Sequence, residues 1–312
     1  MIADVHTHVY PAMRGRLGPA EDLGYGRVRF NGVVRQGLPP SERETRFTAE
    51  QMIAYQDWAG VDHAVLLQGP AYGECNDYAR EAVRAYPDRL TAAAYFDPWA
   101  DEPRRTLEGL MDEQGFEIIK MEFSDGYGLR GLHPEARLDD AAVAWVWETL
   151  NGRGAVLVLD LGVIGDGSYQ TNAVRAMAED HRDMTIVIAH LGQASAVIDR
   201  DAGARQAWLD QVGLGRLANV WLDVAALPAF FPDESFPYPS AVRVVEEAFD
   251  LVGPEKIMWG TDMPGTLVRA TYPQMVELGE LQAAGLSSAE RAAFFGGTGA
   301  RVYRLPVAGD AG

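Results

Sequence analysis

Thiols are almost absent from this chain: Cys75 is the single cysteine. No intrachain disulfide can form, and a cysteine-built metal cluster is excluded. Lysine is nearly as scarce, with Lys120 and Lys256 the only two. Positive charge is short overall, 27 basic against 45 acidic residues, for a formal net charge of −18. Nucleic acids and anionic membranes are therefore not expected as partners, since both need a cationic surface. No apolar run is long enough to span a bilayer, and no basic segment with an apolar core precedes the first strand, so a cytoplasmic location is expected. There is no G-x-G-x-x-G after the first strand, which argues against a dinucleotide site. No low-complexity tract or interdomain linker divides the sequence, and residues 1–312 read as one domain.

What is present begins at Ile2-Ala-Asp4-Val-His6-Thr-His8-Val-Tyr10. Its β-branched residues mark a strand, and residues two apart on a strand face the same way. Asp4, His6 and His8 thus share a face, and paired imidazoles on rigid backbone are one way to present nitrogen ligands to a divalent metal. By itself His-x-His is equally well two surface histidines. From Tyr10 to about Arg46 the chain is irregular, and Tyr25, Phe30 and the Val28/Val33/Val34 pattern suggest a small hairpin excursion or lid over residues 10–46. Thr48, with Gln51 completing a capping box, opens a helix that stops at Gly60.

Apolar strands and helices then alternate. The strands are Ala64–Gln68, Thr91–Phe96, Phe116–Phe123, Ala155–Asp160, Thr185–His190, Asn219–Val224 and Lys256–Asp262. With the first strand this makes eight βα units. Near-continuous apolar strands separated by helices form a parallel sheet covered on both faces. Eight such units predict a (β/α)₈ TIM-type barrel, with an open doubly wound sheet as the alternative.

Strand after strand is apolar until an ionisable final residue. The first ends in His6 and His8, the fourth in Lys120 and Glu122, the fifth in Asp160, the sixth in His190 and the eighth in Asp262. A single polar residue at a strand end more often caps a loop. Repetition over five strand ends points instead to one site at the carboxyl face of a barrel. His63, His133 and His181 do not end apolar strands and read as structural or surface residues.

With Asp4-Val-His6-Thr-His8, Ala189-His190-Leu-Gly192 and Gly260-Thr-Asp262-Met-Pro264 in this order, the sequence resembles the amidohydrolase superfamily. The likeness is to the amidohydrolase-2 group, which includes aminocarboxymuconate-semialdehyde decarboxylase, hydrolases and lactonases. The resemblance covers the whole barrel. It implies a distorted (β/α)₈ fold and one divalent metal, zinc foremost, with manganese or iron as alternatives. His6 and His8 would be ligands, Asp262 a ligand or proton carrier, and His190 a catalytic base or electrophile. The group usually has a further histidine ligand at the end of the fifth strand, where this chain has Asp160. Either Asp160 ligates through oxygen, with Glu122 as a possible fifth group, or the metal is lost, as in metal-independent lactonases of the group. The first outcome is favoured because His6, His8 and Asp262 are intact.

The implied function is metal-dependent hydrolysis of a small, carboxylate-bearing ester, lactone or amide by metal-activated water. Non-oxidative decarboxylation on the same site and metal-independent lactone hydrolysis are the alternatives. A non-catalytic protein on a retired barrel would need more site residues to be lost. Lys120 is read as an interior ion pair with Glu122 or Asp160, since a buried ammonium must be paired. A carboxylated lysine and a ligand for a substrate carboxylate are the other readings. Arg14, Arg16, Arg130 and Arg269 are candidates to grip a substrate carboxylate, each weighed against a solvated surface charge. The expected partner is a small-molecule substrate, and the expected assembly a homodimer.

Overall fold

The apolar runs become strands in the computed structural model, which describes residues 1–13, 21–30, 32–40 and 43–306. In chain order they are β1 (Ala3–Thr7), β2 (Glu21–Gly24), β3 (Arg27–Phe30), β4 (Val33–Gln36), β5 (His63–Leu66), β6 (Leu90–Ala92), β7 (Ala94–Tyr95), β8 (Ile118–Glu122), β9 (Val156–Asp160), β10 (Thr185–Ile188), β11 (Val220–Asp223) and β12 (Ile257–Met258). Two parallel ladders run β1-β5-β6 and β12-β11-β10-β9-β8-β7. They belong to one barrel. β6 and β7 are a single strand interrupted at Ala93, whose N–H still donates to Leu66 O at 2.9 Å. At the other seam the N–H of Val5 donates to Trp259 O (3.2 Å), that of Asp262 to His6 O (2.8 Å) and that of His8 to Met263 O (2.7 Å). The predicted (β/α)₈ barrel is thus closed.

Inside the barrel the side chains stack in layers. Ala3, Val5, Val65, Leu67, Ala93, Ile118, Val156, Val158, Val187 and Met258 form an apolar plug, sealed from below by Val302, Tyr303 and Leu305. Above it come Lys120 and Glu122 of β8, Asp160 of β9 and Asp223 of β11. The barrel therefore changes from oil to charge within one turn of the pleat, as side chains two residues apart step up the same wall. The larger core lies between the strands and the surrounding helices. Helix starts follow the local signals: Thr48 and Gln51 form the expected capping box before Ala49–Ala59, and Gly60 ends that helix at φ 72°. Thr271 with Gln274 and Ser287 with Glu290 repeat the device later.

The excursion after β1 is a three-stranded antiparallel sheet, β2-β3-β4, rather than a hairpin. Tyr25 (φ 56°) and Gly26 (φ 74°) make the tight turn between β2 and β3, whose two positive φ values match the strands' twist. Its base is pinned where Tyr10 and Phe47 exchange backbone hydrogen bonds. Its tip rests on Tyr127, in the loop after β8, through Phe30 (ring centroids 5.3 Å apart) and Arg35 (5.0 Å to the ring). The sheet therefore lies on the carboxyl side of the barrel.

The seam between first and last strands depends on Asp4, fully buried. Its carboxylate accepts from the N–H of His6 (3.2 Å), the N–H (3.0 Å) and hydroxyl of Thr261, and the Tyr272 hydroxyl (2.9 Å). Asp4→Ala would leave buried donors without an acceptor, each costing roughly 1–3 kcal/mol. We expect urea unfolding to show a loss of at least ~3 kcal/mol; a loss within experimental error would mean that the seam holds by packing alone.

Candidate active site

The carboxyl ends of β1, β8, β9, β11 and β12, with the turn after β10, converge above the apolar plug. His6 Nδ1 donates to Asp223 Oδ2 at 3.0 Å, and Nε2 has no hydrogen-bond partner among the described residues although it is buried. Burial holds the imidazole down at about 4, against the pull of Asp223. His6 is therefore neutral, with its Nε2 lone pair aimed into the site. Burial opposes ionisation of Asp223, but the neighbouring His6 and His190 outweigh it and bring the carboxyl down to about 2. His8 is oriented in the same way: Nδ1 donates to Leu67 O at 2.6 Å, and Nε2 points at Asp262 Oδ1, 2.8 Å away. A lone pair facing a carboxylate oxygen at that distance needs a proton or a cation between them.

Asp262 sits at φ 65° just past β12. Its Oδ1 is also 3.8 Å from His6 Nε2, and its side chain is 26% exposed, so it faces the mouth. Burial would raise its carboxyl, and the hydrogen bond and charge of His8, followed by His190 and His6, pull it below the usual range. His6, His8 and Asp262 thus offer three ligand atoms within 4.8 Å of one another. The orphaned, buried Nε2 of His6 and the close His8–Asp262 contact fit a divalent cation. Two imidazoles and a carboxylate suit zinc, manganese or iron. The Nδ1 hydrogen bonds to Asp223 and Leu67 O fix both tautomers for ligation. A second close set, His6, His190 and Asp223, is accounted for by hydrogen bonds instead: Asp223 binds His6 Nδ1 and the His190 backbone N–H (2.9 Å).

His190 differs from the two ligand candidates. Nε2 lies 3.2 Å from Asp160 Oδ2 and Nδ1 3.3 Å from Ala225 O. Both neighbours are acceptors, so both ring nitrogens must carry protons. Burial opposes this charge, yet Asp160, Asp262 and Asp223 outweigh it and raise the pKa to about 9. The ring is 4.5 Å from that of His6, centroid to centroid. Asp160 is correspondingly held well below the usual carboxylate range: burial is overcome by His190 and Lys120. Its Oδ1 accepts from the N–H of Gly162 and from Gln193 Nε2, both at 2.9 Å. The structure thus places Asp160 against His190 and outside the His6–His8–Asp262 group.

Glu122 pairs in register with Asp160 across the β8–β9 ladder. Burial, then the adjacent Asp160, pushes its carboxyl up, and Ser124 Oγ donates to it at 2.8 Å. It too lies outside the three-atom group. Lys120 is 1% exposed, and its ammonium has no hydrogen-bond partner among the described residues. It forms neither of the close ion pairs expected with Glu122 and Asp160, although its charge acts on both. Arg14 and Arg16 lie outside the described residues. Arg130 is tied to Asp125 (2.9 Å) and to Pro134 O, and Arg269 is exposed; neither joins the cluster. His63, His133 and His181 bond to Thr91, Asp97 and Met177 O and play structural parts. Sequence reasoning missed Asp223, although it ends an apolar strand like the others. It also missed Gln193, for which hydropathy carries no signal. Tyr72, stacked on Tyr10 (4.8 Å) and 5.3 Å from the His8 ring, walls one side of the site.

A family model described as amidohydrolase matches residues 3–305. The chain belongs to the amidohydrolase family. An L-fucono-1,5-lactonase of Burkholderia multivorans (strain ATCC 17616 / 249) is 35% identical over 147 residues, 44% of this chain and 49% of the lactonase. The match thus spans about half the length of that relative. Two crystal forms of an amidohydrolase from Burkholderia multivorans superpose over 98% of this chain and 100% of theirs. One, with bound HEPES, has TM-score 0.70 and 23% identity; the other, with bound zinc, has TM-score 0.68 and 22% identity. A probable 2-pyrone-4,6-dicarboxylic acid hydrolase from Acinetobacter baumannii, with citric acid bound, has TM-score 0.69 and 15% identity, covering 97% of this chain and 99% of its own. These likenesses establish the barrel. Among the described residues no helix is long and apolar enough to cross a membrane.

The His190–Asp160 pair carries a pH signature. His190 is raised to about 9 in the folded state from an unfolded value near ~6.5. Its stabilisation is complete below the unfolded value and fades as pH climbs through about 9. Metal-stripped protein should therefore lose up to ~3 kcal/mol of unfolding free energy between those limits. The loss should be absent in His190→Asn; an unchanged profile in that variant would refute the pair as its source.

Proposed function

We propose that this chain hydrolyses a small lactone, of the sugar-acid type that its lactonase relative is named for. The observation that carries the proposal is the arrangement at the mouth. A partly exposed carboxylate, Asp262, faces the Nε2 atoms of His6 and His8, with a buried imidazolium, His190, against the His6 ring. One divalent ion, zinc foremost, held by His6 Nε2, His8 Nε2 and Asp262, would supply Lewis acidity and lower the proton affinity of water. The chain's own groups do the rest. Asp262 takes a proton from the attacking water as its oxygen bonds to the lactone carbon. The fixed positive charge of His190 stabilises the negative charge that builds on the carbonyl oxygen. When the ring C–O bond breaks, Asp262 returns the proton to the departing oxygen, giving an open hydroxy acid.

A panel of 1,4- and 1,5-aldonolactones followed by acid release tests the activity. Turnover of none of them, or carbon dioxide among the products, would refute lactone hydrolysis, the latter in favour of decarboxylation. The purified protein should contain about one equivalent of metal; full activity after its removal would refute the role given to the ion. His190→Asn should fold, keep its metal and lose on the order of 10²-fold in turnover. Melting temperature, metal content and rate should be taken on one preparation. A destabilised variant with undiminished turnover would reduce His190 to a core residue.

A further inference from the structure

We propose that Gln193 is a positioning residue that sets the rotation of Asp160 and, through it, the placement of His190. This deepens the reading of the site as a hydrolase and rests on it. The argument starts from the backbone. One residue beyond β10, four successive residues have positive φ: His190 at 59°, Leu191 at 50°, Gly192 at 64° and Gln193 at 52°. Only glycine is at ease there, and each of the other three costs roughly 1–2 kcal/mol. The left-handed turn persists because its main chain is tied at every step. The His190 N–H donates to Asp223 Oδ1, Leu191 O accepts from Trp208 Nε1 and Gly192 O accepts from the Tyr169 hydroxyl, each at 2.9 Å. The N–H of Gln193 donates back to His190 O at 2.8 Å.

None of those ties uses the Gln193 side chain. For the turn alone, glycine or asparagine would suit a φ of 52° better than glutamine. Immobilising glutamine also costs up to about 1.5–2 kcal/mol of rotamer freedom. What glutamine adds is reach: its Nε2 donates to Asp160 Oδ1 at 2.9 Å. The Gly162 N–H donates to the same oxygen. Two donors on Oδ1 stop the carboxylate from turning and leave Oδ2 facing His190 Nε2. Gly162 alone would hold one direction only. Gln193 lies outside the His6–His8–Asp262 group, so its effect should fall on turnover rather than on metal binding or substrate affinity.

The test uses the metal-loaded, full-length protein and three variants. Gln193→Gly relieves the backbone but removes the amide. Gln193→Asn tolerates the backbone but falls one methylene short. Gln193→Glu keeps the length and sets a carboxylate against Asp160. We expect the first two to melt within a few degrees of wild type, to keep their metal, and to lose about 10- to 100-fold in kcat with KM little changed. Gln193→Glu should lose more. A crystal structure of Gln193→Gly should show the Asp160 carboxylate rotated away from His190. If wild type hydrolyses lactones and Gln193→Gly keeps its kcat, the positioning role is overturned while the hydrolase reading stands. If wild type turns over no lactone, the hydrolase reading falls, and the orientation of Asp160 in the variant crystal still decides the role of Gln193: an unrotated carboxylate overturns it, a rotated one supports it.

Discussion

A buried carboxylate on the first strand, Asp4, gathers donors from the two ends of the chain: the amide of His6 on one side, Thr261 and Tyr272 on the other. The rest of the site depends on this. His6 and His8 extend from β1 and Asp262 follows β12, so the three atoms that converge there come from strands that meet only at this seam. Burial pushes the Asp4 carboxyl up to about 7 against the pull of its donors. An apolar residue at this position would avoid that desolvation. It would also leave the amides of His6 and Thr261 unsatisfied and free to move, each next to a functional residue.

Much of this was legible in the sequence, for a physical reason. A parallel strand buried on both faces must be apolar wherever it crosses the core, so an ionisable residue at its carboxyl end stands out. That contrast picked out His6, His8, Glu122, Asp160, His190 and Asp262. It applies equally to Asp223, the ionisable residue near the end of the apolar run Asn219–Val224. The fold followed from the same alternation, because eight apolar strands with helices between them have few ways to close.

What stayed hidden depends on backbone hand and side-chain direction. His190 reads as the last residue of a strand, yet β10 stops at Ile188 and the histidine enters the site from a left-handed turn. Hydropathy does not encode a sign of φ, and a single glycine among four residues gives little hint of it. For the same reason the strand pattern does not reveal the pairing of Asp160 with His190. The arginines are candidates by position in loops, where no periodicity constrains direction. The contact of Arg130 with Asp125 is accordingly not legible in the sequence. Lys120 reads as half of a close ion pair and is instead enclosed without a hydrogen-bonding neighbour among the described residues, because its strand register sets it one layer below the carboxylates.

The sequence distance across the seam also governs when the protein becomes competent. His8 and Asp262 are 254 residues apart, and Asp4 and Tyr272 are 268 apart. During synthesis β1 emerges first but must wait for nearly the whole barrel before its second edge is paired. Contacts of such separation make for slow folding and leave an open strand edge meanwhile. The His6–His8–Asp262 group cannot assemble in any partly built barrel. A divalent ion held there, as proposed, would therefore bind refolding protein only after ring closure, in the last kinetic phase.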